Sequence, residues 1–293
     1  MPALQIEAIV QGLHAARNEW RESQSRPREP GSREFPSPDA VAEAIDSIRK
    51  ALFPMRLGPP DLRQENEDYY VGHTLDAALH TLLCQARLEF RYGGAAHDDV
   101  HQLATDAIRT FAESLPNIRR LLDSDVMAAY DGDPAARSVD EVLLCYPGVL
   151  AVIHHRLAHQ LYRLGLPLMA RIAAEQAHSR TGIDIHPGAQ IAGSFFIDHG
   201  TGVVIGETAV IGERVRIYQA VTLGARRFPK LPDGSLQKGL KRHPTVEDDV
   251  VIYAGATVLG NVTLGKGASV GGNVWVTHDV PAGGSVTQAN SIS

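Results

Sequence analysis

Cysteine is scarce. The 293 residues hold only Cys84 and Cys145, each inside an apolar helical pattern and neither part of a CxxC or Cys/His spacing. A disulfide framework and a cysteine-rich metal site are thereby excluded, and both thiols are expected to be free and buried. Long apolar runs are missing too: nothing approaches the roughly 20 residues that a membrane-spanning helix needs. The opening MPALQIEAIVQGLHAARNEW has no basic segment leading into an apolar core, so a cytoplasmic chain without membrane contact is expected. Nor is positive charge in excess. With 28 Lys and Arg against 34 Asp and Glu the net charge is -6, which argues against nucleic acid as the main partner but leaves room for a small anionic ligand on a local basic patch.

What is present changes character near Gly182. Before it, apolar residues recur at spacings of three and four, the mark of amphipathic helices. The clearest begins at Ser37-Pro38, a capping residue followed by proline in the first turn, and puts Val41, Ala44, Ile45, Ile48 and Leu52 on one face. Further helical stretches are expected from Thr74 to Phe90, Asp99 to Leu115 and Val139 to Arg180. Residues 1–24 read as a separate helix, set apart by a linker at 25–39 rich in proline, glycine and charge, and a helical domain fills 40–182.

After Gly182 the period becomes six. From Val246 the chain divides into VEDDVV, IYAGAT, VLGNVT, LGKGAS, VGGNVW and VTHDVP. Position one is Val246, Ile252, Val258, Leu264, Val270 and Val276; position five is Val250, Ala256, Val262, Ala268, Val274 and Val280. Twelve apolar residues at twelve positions have a chance probability of roughly 10⁻⁴, and a hexapeptide repeat signals a parallel β-helix, one short strand per repeat. An earlier block, Ile185, Ile191 and Ile197, shifts by two residues into Ile205, Ile211, Ile217 and Leu223. From Leu223 to Val246 is 23 residues where six would do, so about 17 form an expelled loop at about 225–245. The fold class is therefore α+β: an all-helical domain, a parallel β-helix over 183–284, and a tail at 285–293.

The first repeats carry Asp184-Ile185-His186-Pro187, Ile197-Asp198-His199-Gly200-Thr201-Gly202 and Val204-Ile205-Gly206-Glu207-Thr208-Ala209. Asp184 and His199 are 15 residues apart, three short of an 18-residue coil, which places the aspartate one coil below the histidine near the same corner. Two readings stand: a carboxylate that fixes the imidazole tautomer and frees one nitrogen as a general base, or a solvated histidine beside a strand-end aspartate. Asp133, in Gly132-Asp133-Pro134-Ala135-Ala136, has the form of a turn aspartate. The expelled loop holds Arg226, Arg227, Lys230, Lys238, Lys241 and Arg242 against Asp233, either a solvated surface or an attractor of phosphate groups. His154, His155 and His159 offer an i, i+4 pair to a metal, but without a third ligand at suitable spacing helix packing is favoured.

From about residue 130 to 285 these strings resemble the serine acetyltransferases, hexapeptide-repeat acyltransferases whose coil is left-handed and whose N-terminal domain is helical. The resemblance implies direct transfer of the acetyl group of acetyl-CoA to the hydroxyl of L-serine, for cysteine biosynthesis, with no acetyl-enzyme and no metal. It matches His199 to the general base and Asp184 to the carboxylate that orients it. Asp198 and Asp133 match acids that hold the serine ammonium, and Arg242 and His243 match the pair on the serine carboxylate and reacting side chain. Gly224, Ala225, Ala254 and Gly272 match small residues bordering acetyl-CoA in a groove between subunits. There are two departures: the family's Gly-Gly is Gly224-Ala225 here, and Tyr253 stands for a glycine. Glu207 matches a family position without an assigned role.

The same resemblance implies a homotrimer or a dimer of trimers, with L-cysteine as feedback inhibitor. Relatives that bind cysteine synthase end in isoleucine, whereas Ile292 is penultimate here, so weak or absent binding to cysteine synthase is expected. Rival readings are an amino-sugar acyltransferase, a zinc carbonic anhydrase using histidines such as His186, His199, His243 and His278, and a scaffold that docks cysteine synthase.

Overall fold

The computed structural model describes residues 5–25, 35–227, 229 and 231–288. Lys230, linker residues 26–34 and tail residues 289–293, Ile292 among them, lie outside the described residues. The chain divides into two units, Met1–Phe35 and Pro36–Ser293. In the first, α1 (Ile6–Ser23) buries no residue, and Ile6, Ile9, Val10, Leu13 and Trp20 are exposed.

The second unit opens with α2 (Pro38–Leu52), whose first turn is capped by the Ser37 side chain accepting from the Ala40 N–H. Its buried face is Val41, Ala44, Ile45, Ile48, Ala51 and Leu52. After the short α3 (Pro54–Leu57) come α4 (Glu67–Tyr92) and α5 (His97–Gly132). The α5 helix runs well past the expected stop at Leu115, straight through Pro116. Proline removes one helical bond, the one to the Ala112 carbonyl, and the Ser114 hydroxyl donates to the adjacent Phe111 carbonyl, 2.6 Å away. The buried stripe Leu115, Ile118, Leu122, Val126 and Ala129 then outweighs that loss. The expected stretch Val139 to Arg180 is instead three helices, α6 (Val139–Cys145), α7 (Pro147–Arg163) and α8 (Pro167–Thr181). The breaks fall where Pro147 and Pro167 open new first turns, because proline cannot donate to the turn before it. Both cysteines are free but exposed, not buried as expected. On α4, Leu82 and Ala86 mark the core face, and Cys84 lies about half a turn away on the outer side.

Beyond α8 the chain winds into a triangular prism with three parallel sheets. Face A stacks β1 (Asp184–Ile185), β4 (Val204–Ile205), β7 (Thr222–Gly224), β10 (Thr257–Leu259) and β13 (Trp275–Val276). Face B stacks β2 (Gln190–Ile191), β5 (Val210–Ile211), β8 (Thr245–Val246) and β11 (Thr263–Leu264). Face C stacks β3 (Phe196–Ile197), β6 (Arg216–Ile217), β9 (Val251–Ile252), β12 (Ser269–Val270) and β14 (Ser285–Val286). All twelve expected inward residues of the last repeats are buried, as one strand residue in each pair must be when the coils close around an apolar axis. Val204 pairs with Thr222, 18 positions on, whereas Thr222 pairs with Thr257, 35 positions on. The difference is the expelled loop, which leaves the prism at the A–B corner and returns at Thr245. Asp184 pairs with Val204, 20 positions on, so the first coil carries two extra residues. They widen the C–A corner between β3 and β4, at residues 198–203.

A buried ion pair clamps the helices to the first coil. Arg156 of α7 forms a fork with Asp125 of α5, at 2.6 and 2.8 Å, and donates to the carbonyls of Ile191 and Ala192. Asp125 also accepts from the Phe195 N–H at 2.9 Å. Every group in this clamp therefore has a partner, which is what makes a buried pair tolerable.

Candidate active site

The widened C–A corner projects His199 outward. Its backbone is left-handed, φ 59°, between the β3 strand end and Gly200, and its side chain is 70% exposed. Asp198 beside it is 7% exposed, with Oδ1 3.9 Å from His199 Nε2 and Oδ2 paired to Arg216. The turn after α5 brings Asp133 to the same corner. Its Oδ1 accepts from the Ala135 N–H at 2.8 Å, the turn role its sequence suggests, and its Oδ2 accepts from the Tyr146 hydroxyl. That bond holds the Asp133 carboxyl below its usual range and pushes the Tyr146 hydroxyl up to about 12. Each carboxylate oxygen has two lone-pair sites, so both acids keep acceptor capacity.

A second group gathers at the A–B corner. His243, returning from the expelled loop, is 7% exposed and lies against Gly206; a Cβ there would come within 2.1 Å of the imidazole. The Thr208 N–H donates to His243 Nδ1 at 3.0 Å, which leaves the proton of the neutral ring on Nε2. Burial, reinforced by the Arg242 charge, lowers the His243 pKa to about 4, so the ring is neutral at pH 7. Arg242 is ion-paired to Glu207, whose other oxygen accepts from the Tyr162 hydroxyl at 2.9 Å. Burial alone raises the Glu207 carboxyl; the bonds from Arg242 and Tyr162 more than reverse it and hold the group below its usual value. His186 packs edge-on against Tyr162 and is lowered by its own burial.

Asp184 lies on face A between the two corners. Among the described residues no hydrogen bond or ion pair joins it to His199; its carboxylate instead gathers with Glu175 and His178 of α8, ligand atoms within 4.8 Å of one another. The small residues divide between the same two edges. Ala254 and Gly272 stack at the C–A corner, where a Cβ on Gly272 would lie 3.2 Å from the Ala254 carbonyl. Gly224 and Ala225 stand at the A–B edge, beside a groove of about 460 Å³ lined by Arg226, Arg227, Lys241, Arg242, Leu259 and Val262 among others. Among the described residues no acid lines that groove. His186, His199, His243 and His278 do not converge into a group of three ligands among the described residues. His154 and His159 bond backbone carbonyls at Leu150 and Pro187, and His155 is buried, so all three serve packing. Spacing missed Arg216, Tyr146, Tyr162 and Thr208, whose partners lie 13 to 45 residues away.

Residues 243–278 match the family model described as bacterial transferase hexapeptide (six repeats). A serine acetyltransferase of Synechococcus elongatus is 56% identical over 235 residues, covering 78% of this chain and 74% of that protein. The chain belongs to the serine acetyltransferase family. It is accordingly an acyltransferase, and its prism is the left-handed β-helix of that family. Serine acetyltransferase 1 of Entamoeba histolytica, solved in complex with L-cysteine, superposes with TM-score 0.73 at 39% identity over 89% of each chain. The Neisseria gonorrhoeae serine acetyltransferase, solved in complex with serine, gives TM-score 0.57 at 28% identity over 85% of this chain and 96% of that one. No helix among the described residues is long and apolar enough to cross a membrane.

Proposed function

We propose that the chain transfers the acetyl group of acetyl-CoA to the hydroxyl of L-serine, with His199 as general base, at sites completed between neighbouring copies. The observation that carries this reading is the division of the polar groups. The acids suited to an ammonium, Asp133 and Asp198, stand at the C–A corner, and the guanidinium suited to a carboxylate, Arg242, at the A–B corner. A face spans on the order of 15 Å, whereas the two charges of one amino acid lie within about 3.8 Å. One chain cannot grip both ends of a serine with these groups. Two copies can, when the C–A edge of one faces the A–B edge of the next, as in a cyclic trimer. The small residues on each edge and the basic groove then border one channel that takes acetyl-CoA, its phosphates toward Arg226, Arg227 and Lys241.

The chemistry follows from those groups. His199 takes the proton from the serine oxygen, which attacks the thioester carbonyl; the carbon–sulfur bond breaks, and the departing CoA sulfur receives the proton back from the imidazolium. His243, held neutral with its proton on Nε2, is a donor to the reacting oxygens. Asp184 orients the base after the exposed His199 side chain rotates toward face A. L-cysteine, which shares the ammonium and carboxylate of serine, competes for the same site; the Entamoeba relative's complex with L-cysteine supports this. The test is thiol release from acetyl-CoA with L-serine and a panel of other hydroxyl acceptors. Release that depends on L-serine supports the reading, and release driven only by a sugar or another alcohol rejects it.

A further inference from the structure

Arg216 is bonded to both elements that bring an acid to the C–A corner. It is the outward residue of β6, directly above Phe196 in register. Its guanidinium lies between the rings of Phe196 and Tyr218, at 5.0 and 4.7 Å from their centroids. One terminal nitrogen donates to Asp198 Oδ2, the other at 2.6 Å to the carbonyl of Gly132, the last residue of the 36-residue α5 and the neighbour of Asp133. A Cβ on Gly132 would come within 2.9 Å of the Phe196 ring, so the helix end rests directly on the coil.

We propose that Arg216 is a positioning residue that sets acceptor specificity: it fixes the Asp198 carboxylate in place and holds the Asp133 turn against the coil, so that both acids meet one ammonium group. This rests on the serine reading above. Asp198 is almost fully buried, and removing its guanidinium partner leaves one carboxylate oxygen without its charge-assisted bond and free to turn away from an ammonium. Two acids and one guanidinium leave a single net negative charge, which one monocation neutralises. The cation–helix contact at Gly132 adds to the fit, since a helix C-terminus attracts positive charge.

The test compares the full chain with Arg216→Met, which fills the space between the two rings, and Arg216→Lys, which restores a charge. For Arg216→Met the serine KM rises roughly 10- to 100-fold, the size of one charge-assisted hydrogen bond, while kcat is little changed. Arg216→Lys recovers part of the loss. Calorimetry supplies the readout that turnover does not. L-cysteine binding weakens by a similar factor, whereas 3-mercaptopropionate, with the same thiol and carboxylate but no ammonium, binds as before. An unchanged serine KM, or equal weakening of both thiols, overturns the proposal. Should Arg216→Met fail to fold, Arg216→Lys is read by the same two outcomes, with a smaller rise. A wild-type chain that releases no thiol with serine sinks the serine reading itself, whereas an active wild type with a silent Arg216→Met sinks only this one.

Discussion

His199 occupies the widened C–A corner of the prism, which accounts for its exposure, while its left-handed backbone is shared with Ala220 and Asn273 at the same corner of other coils. Because its side chain supports no buried contact, His199→Ala is expected to leave thermal stability within the range of an ordinary surface change, about 0.5 kcal/mol. The same variant should lower kcat by about 10²-fold or more, the usual contribution of a general base. Steady-state kinetics beside thermal unfolding checks both, and a folded variant with near-normal kcat removes the base from the mechanism. Spacing drew attention to His199 through Asp184, and the family resemblance alone singled out Asp198. Spacing left Asp198 without its partner, because Arg216 is 18 residues further on, on a strand whose outward position carries no periodic constraint. The exposure of Cys84 was misjudged for a related reason: an apolar neighbourhood in sequence does not fix which side of a helix faces the core.

At the scale of elements, whatever repeats was legible and whatever joins distant segments was not. The hexapeptide residues, the Ser37 cap and the expelled loop follow from period and local chemistry, and the structure has them where those rules put them. The passage of α5 through Pro116 depends on which face is buried, whereas the division of residues 139–180 falls at Pro147 and Pro167, a local signal that the helical periodicity alone passes over. The Asp125–Arg156 clamp between α5, α7 and the first coil is silent in the sequence. Asp125→Ala strands a buried guanidinium and the Phe195 N–H, so a loss of about 3–5 kcal/mol is expected in denaturant unfolding; a loss below about 1 kcal/mol would mean the clamp is solvated. The α7 helix also carries His154, His155 and His159, whose pKa values burial pushes below 6.5, as it does for His186 and His243. The unfolded chain takes up protons near pH 6.5, and the folded chain only lower. Stability is therefore full above about pH 6.5 and falls as the pH drops from there toward 4. Melting temperatures measured from pH 8 to 4.5 should be flat above that point and decline below it; a chain equally stable at pH 5 and 7.5 would contradict the buried neutral histidines.

At the scale of the whole molecule, Asp133, Asp198, Ala254 and Gly272 stand on one edge of the prism while Arg242, His243, Gly224, Ala225 and the basic groove stand on another. On the proposed reading neither edge alone holds a zwitterion and a thioester together, and a neighbouring copy completes the site. The most direct measurement co-expresses two differently tagged variants, His199→Ala and Arg242→Ala, and isolates the mixed oligomers. Each variant alone should be nearly inactive. If sites are shared around a three-membered ring, a site is intact when an Arg242→Ala copy supplies the C–A edge and a His199→Ala copy the A–B edge, which every mixed ring has at one of its three sites. The account predicts serine-dependent thiol release at about a third of the wild-type rate per chain; mixed oligomers as inactive as either parent would mean that each site lies within a single chain.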